Sequence, residues 1–374
     1  MVKEVDHTNS ICFSAGLKNY LENKFLVKKN VKSPFFDEID LEYWRGILTR
    51  VSEGKMVFNE LKKCYPQLNF PIQLGIEKTE FYKDIVLRGK TVDMNFPFLL
   101  HLNDFENITF KIHKSISGSI PIVTVSNIED FTTIIQSLLY KNNPNHVPQS
   151  MGAVLINGIN NWDRLTILKN KWLSTNSFGN WTKEFTCNVL PNKNLYKDKL
   201  IILSAKPYSN VAPKQLGLTE DAWLSYSISI REEHECTHLY TLQKYGIASN
   251  NLHDELIADY IGIVKTIGYY NKSWMLQFMG LEEYPKYRKG ARLENYILEN
   301  EFSQDDFKQL IKMIKSAIEN IFIFDETSGK LLSTIDQMFR IDALCETSLE
   351  ELSSANGASI LINNYKAISK RSKI

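Results

Sequence analysis

Leu17, Tyr20, Leu21 and Phe25 fall on one helical face, and Ile39, Leu41, Trp44, Ile47 and Leu48 repeat the rhythm, so the stretch from about Ser14 to Lys90 reads as helical. From about Pro97 to Thr124 the texture changes to the short runs FLLHL, ITFKIH and IPIVTV. Asn, Asp, Ser and Gly bound these runs, which predict strands. Helices are expected over Asp130–Tyr140 and Trp162–Trp172, with a strand over Gly152–Ile156 and a polar, irregular stretch from Ser174 to Lys193. Lys199–Ser204, KLIILS, is the clearest single strand. After Thr219 nearly everything is helical, with apolar faces through Ile311, Ile314, Ile318 and Ile321 and through Leu331, Ile335, Met338 and Phe339.

This order of elements predicts an α+β protein with a small mixed sheet and a mostly helical C-terminal lobe. At 374 residues the chain exceeds what one core usually supports, and three segments are expected: a helical region 1–95, an α+β core 96–262 and a helical lobe 263–374. No internal repeat and no long Gly/Ser- or Pro-rich linker marks the limits.

Composition narrows the partners. Hydrophobic residues are 43% and charged residues 23%, as in ordinary globular chains. With 44 basic and 43 acidic side chains the net charge is +1, so no global field gathers nucleic acid or anionic lipid, and neither is expected as a partner. Cys12, Cys64, Cys187, Cys236 and Cys345 are sparse and lack CxxC spacing, which suits a reducing compartment. The N-terminus carries no apolar run of export length, and no apolar stretch approaches the roughly 18 residues a bilayer needs; a soluble, cytoplasmic protein is expected.

The chemistry concentrates in residues 231–242, REEHECTHLYTL. On a helix, positions four apart are one turn apart, so His234 and His238 project the same way and two imidazoles face one point. Zinc accepts neutral imidazole nitrogen, and two nitrogens from one turn supply half of a tetrahedral shell. Glu235 stands beside the first histidine, where a carboxylate can take a proton from water held at the metal. Seventeen residues after His238, the segment HDELIADYIGI places Glu255 and Asp259 one turn apart on a second expected helix. A finish near Gly246 and a turn through Ser249, Asn250 and Asn251 let that helix pack back antiparallel and reach the same metal.

Residues 231–263 thereby resemble the gluzincins, the thermolysin-like zinc peptidases, whose HExxH helix is followed by a helix carrying Glu and, four residues later, Asp. The resemblance implies a zincin-like core around an HExxH helix. It implies zinc held by His234, His238 and Glu255, Glu235 as general base, and Asp259 orienting His234, with Asp254 able to orient His238 in the same manner. The implied activity is hydrolysis of a peptide or other small amide substrate. Family members also set a His or Tyr from the later lobe against the oxyanion, yet no histidine follows His253 here. Tyr284, Tyr287, Arg288 and Arg292 in EEYPKYRKGARLENY are the candidates, with Tyr287 and Arg292 taken as catalytic; a solvated basic turn explains the segment equally.

Competing patterns fare worse. His253 lies about 200° around a helix from Glu255, so the two do not share a metal. The metzincin positions hold Thr241 and Lys244, and the only second ExxH for a di-iron site is Glu4–His7. Two alternatives to the hydrolase stay open: a zinc-stabilised binding or regulatory module without turnover, and an HD-type phosphohydrolase built on His253 and Asp254, with His234 or His238 upstream and a later acid such as Asp336. Cys236 points away from both histidines and is expected to pack behind the helix. Lys199–Ser204 is the candidate edge strand for a substrate backbone, with an interior position the alternative. Asn161, Trp162 and Arg164 either line a cleft or open a helix.

Overall fold

A computed structural model describes residues 13–26, 40–90, 100–248, 251–296 and 302–371. The chain opens with α1 (Ala15–Leu21), α2 (Leu41–Ser52), α3 (Val57–Cys64) and the single turn α4 (Glu80–Tyr82), then the hairpin β1 (Thr109–Ser115) and β2 (Gly118–Val125). Next come α5 (Ile128–Leu139), β3 (Ala153–Asn160), α6 (Trp162–Thr175), the turn α7 (Trp181–Glu184) and β4 (Lys197–Ser204). Helices complete it: α8 (Glu220–Tyr245), α9 (Leu252–Ile267), α10 (Lys272–Met279), α11 (Gln304–Ser328), α12 (Thr334–Glu346), α13 (Leu349–Ser353) and α14 (Gly357–Arg371). The class is α+β with one small mixed sheet, as expected.

Contacts group the chain into two units, one of Met1–Lys28, Ser249–Tyr260 and Gly268–Ile374, the other of Lys29–Ala248 and Ile261–Ile267. The division falls inside α9, which is itself one unbroken helix.

The second unit is built on the sheet, ordered β1-β2-β4-β3, with β2 and β4 parallel and the outer pairs antiparallel. Strand alternation sorts its side chains into two cores. Val123, Val125, Leu200 and Ile202 face one way, against Trp44, Ile47, Phe58, Leu61, Phe131 and Ile134 of α2, α3 and α5. Ile120, Ile122, Ile201 and Leu203 face the other way, against Cys236 and Leu239 of α8. Each fully buried aliphatic or aromatic side chain contributes roughly 1.5–3 kcal/mol, so the second of these faces anchors α8 to the sheet.

Two expectations need correction here. Lys199–Ser204 is not an edge, because β4 lies between β2 and β3; its apolar run LIIL is buried on both faces, which is the signature of an interior strand. FLLHL is not a strand where it is described, from Leu100 on: Leu100 and Leu102 bury themselves in the α2–α3–α5 core from an irregular segment. Residues 97–99, Ile39, Cys12, the Glu4–His7 pair and the turn residues Ser249 and Asn250 lie outside the described residues. Asn161 caps α6 through a 3.0 Å bond from Arg164 N, and Arg164 is buried on Asp198 at 2.7 Å, so this trio starts a helix.

In the first unit α11, α12, α13 and α14 pack on one another, and Ile311, Ile314, Ile318 and Ile321 form the buried face of α11 as the spacing predicts. The predicted face of α12 is wrong: Ile335 is exposed, and the buried stripe runs through Gln337, Arg340, Ile341 and Leu344. Arg340 is buried because Asp325 and Asp336 neutralise it at 3.1 and 3.2 Å and Tyr260 Oη accepts from it at 2.9 Å. Among the described residues no helix is long and apolar enough to cross a membrane.

Candidate metal centre

Helix α8 starts where Thr219 accepts from Ala222 N, with Glu220 and Asp221 in its first turn, and stops at Gly246, whose φ of 74° suits glycine. One face lies on the sheet through Cys236 and Leu239, so Cys236 packs behind the helix as expected, and burial pushes its thiol well above the usual range. The remainder is unusually polar for buried helix. Arg231, Glu232, Glu233, His234 and Glu235 are all less than a tenth exposed. Partners make this tolerable: Lys111 pairs with Glu232 at 2.5 Å, His113 with Glu233 at 3.1 Å, and Arg231 donates to backbone carbonyls at the end of β4 and just after it.

The two histidines meet at their Nε2 atoms, 3.0 Å apart. Nδ1 of His234 is 3.0 Å from Tyr208 Oη. For Nε2 to offer a lone pair outward, Nδ1 must carry the proton, and Tyr208 Oη stands where it can accept it. Tyr208 is the residue sequence reasoning missed.

Helix α9 comes alongside through Gly262. A Cβ there would lie 2.8 Å from the carbonyl oxygen of Ile230, so only glycine admits this approach, and Thr266 Oγ1 donates to Ser229 Oγ at 3.0 Å one turn on. These contacts run antiparallel. One donor atom each from His234, His238 and Glu255 lie within 4.8 Å of one another.

Around Glu255 and Asp259 stands Arg292. Its Nη2 is 2.5 Å from Glu255 Oε2 and 3.0 Å from Asp259 Oδ2, its Nη1 is 3.2 Å from Asp259 Oδ1, and its Nε donates to Tyr296 Oη at 2.9 Å. All four side chains are buried. Of the expected oxyanion residues, Arg292 thus sits on the carboxylate pair, whereas Tyr287 turns to its own loop, donating to the Ala291 carbonyl at 2.9 Å and resting on Phe307. Arg288 pairs with Glu282 and donates to the Gln277 carbonyl, and Tyr284 lies under Lys315. Asp254 is fully buried in the first turn of α9, where its N–H donates to Asn251 Oδ1. His253 is buried on the other side, bonded to the Leu344 carbonyl at 3.0 Å and edge-on to Phe25, and Asp336 is engaged by Arg340 and Tyr365. Among the described residues that arrangement assembles no donor set for an HD-type site.

The donor set of the histidine pair suits zinc. Zinc–nitrogen bonds of about 2.0–2.1 Å in tetrahedral geometry separate two nitrogens by roughly 3.3 Å, close to the observed histidine separation, and a carboxylate completes a three-donor site with one position left over.

The α+β chain with a two-histidine, one-carboxylate cluster belongs to a family of unknown function, DUF7005, whose model matches residues 2–356. No curated protein and no solved structure matches it.

Proposed function

We propose that this chain is a zinc-dependent hydrolase that cleaves a peptide or other amide bond. The observation that carries the reading is the convergence of one donor atom each from His234, His238 and Glu255 within 4.8 Å, with the two histidine Nε2 atoms 3.0 Å apart. A mixed sheet beneath α8, with α9 antiparallel at Gly262, supports a zincin-like core.

His234, His238 and Glu255 would hold the ion, which when bound supplies Lewis acidity that polarises an amide carbonyl and acidifies water. Tyr208 keeps His234 in the metal-binding tautomer. Glu235, buried and adjacent to His234, takes the proton of the attacking water and delivers it to the departing nitrogen, giving a carboxylate and an amine without a covalent enzyme intermediate. Arg292 steadies Glu255 and offsets the negative charge of Glu255 and Asp259.

Zinc quantification on chelator-stripped and reloaded protein, paired with a peptide-library digest, tests this. One zinc per chain is expected, lost in His234→Ala; Glu235→Gln keeps zinc and loses cleavage. Protein that takes up no stoichiometric zinc refutes the proposal. The lack of any histidine after His253 favours a second reading, a zinc-stabilised binding module; zinc uptake with no turnover in any arm selects it.

A further inference from the structure

We propose that Lys206, set beside Arg231 at the exit of β4, is a subsite for a carboxylate group of the substrate. The functional meaning rests on the hydrolase reading; the binding itself does not. β4 ends at Ser204, and the loop after it wraps the guanidinium of Arg231, which donates to the carbonyls of Ser204 at 3.2 Å, Lys206 at 2.5 Å and Pro207 at 3.0 Å. The residue just before β3 comes close as well: a Cβ at Gly152 would clash with Arg231 Nε. Tyr208 lies under the same guanidinium at 5.3 Å and reaches His234 with its hydroxyl, so the loop runs from the cations directly to the histidine pair. Ser209 and Asn210 hold left-handed backbone, φ 50° and 55°, a strained bend that non-glycine residues adopt only where the surroundings enforce it.

Lys206 is the anomaly. It is 6% exposed, and its ammonium donates to the carbonyl of Gln149; among the described residues no carboxylate pairs with it, and the charge it feels is the like charge of Arg231. The buried cations Arg164, Arg292 and Arg340 all have carboxylate partners. A buried ammonium is costly without a counter-ion, and burial together with the nearby charge of Arg231 lowers it to about 8, so it stays mostly charged at neutral pH. Gln149, whose carbonyl the ammonium engages, is exposed, and so is the next residue of the loop, Pro207. A substrate carboxylate supplies the missing charge, either from a chain end or from an acidic side chain.

Three probes separate these sources on the full chain, both chelator-stripped and zinc-loaded: an acetylated dialanine with a free carboxylate, an amidated peptide with one glutamate side chain, and an amidated dialanine with neither. Calorimetry at constant ionic strength is expected to show one carboxylate probe binding about tenfold or more tightly than the neutral one, the scale of a charge-assisted hydrogen bond. The preferred probe identifies the source. Lys206→Met should abolish the preference. Lys206→Gln, which keeps a donor for Gln149, should abolish it too, whereas a merely structural lysine would leave it intact. No preference for a carboxylate, or a preference surviving either variant, overturns the proposal. Zinc content of the same samples keeps the two readings apart: carboxylate preference without zinc uptake fails only the hydrolase, and zinc uptake without preference fails only this subsite.

Discussion

Replacing Gly262 by alanine tests whether the close approach of α8 and α9 builds the site. The added Cβ would sit 2.8 Å from the Ile230 carbonyl oxygen and 3.0 Å from its Cγ2, so the helices must part by a few tenths of an ångström. Overpacking of this kind costs about 1–3 kcal/mol. Alanine also improves on glycine in a helix by about 0.8–1.0 kcal/mol. The net expectation is a loss of roughly 1 kcal/mol. Gly46 on α2 supplies the control, since a Cβ there meets only Arg50 Nη1 at 3.6 Å; Gly46→Ala should keep the helix gain and stabilise by about 0.5–1 kcal/mol. Urea unfolding of both variants should therefore differ by roughly 2 kcal/mol. Because Glu255 is two turns along the same helix, Gly262→Ala should also weaken zinc binding by about tenfold in chelator competition, the effect typical of disturbing a ligand's support. A Gly262→Ala protein that gains stability as Gly46→Ala does, with unchanged zinc affinity, refutes the argument.

Tyr208→Phe removes the partner of His234 Nδ1 and should lower zinc affinity about 10- to 100-fold while the fold, read by circular dichroism, is retained. Arg340→Leu strands Asp325 in the helical unit and should cost about 3–5 kcal/mol in urea; the double variant with Asp325→Leu should recover part of it, and a single-variant loss below about 1 kcal/mol refutes the buried-pair account. Glu60 is opposed by burial, but Lys63 at 2.6 Å and Arg50 at 2.7 Å hold its carboxyl below the usual range. A depressed native value means that its stabilisation is present above the unfolded value of about 4.3 and is lost as pH falls through the native one. Glu60→Gln should therefore flatten that part of the acid limb in a stability-versus-pH profile, and an unchanged limb excludes the pairing as its cause.

The features legible in the sequence are those set by a single element's own periodicity. The i, i+4 spacing put His234 and His238 on one side of α8 and Cys236 behind it, because 100° per residue is a local property. Likewise, the continuous LIIL run marked β4 as a strand. Its neighbours were another matter: burial on both faces argued for the interior, but strand order depends on pairings with residues 122–125 and 153–160 that no local pattern encodes. The same limit hid Tyr208, which reaches His234 across 26 residues from an irregular loop, and the carboxylate pairing of Arg292, 37 residues from Glu255. On α12 hydrophobic spacing chose the wrong stripe, since a charge neutralised by distant Asp325 can be buried where an isoleucine is left outside. Gly262 was the one long-range clue in plain view. A glycine two turns after Glu255, in the interior of an otherwise good helix, has a cost that only a close neighbour explains, and that neighbour is the helix bearing the histidines.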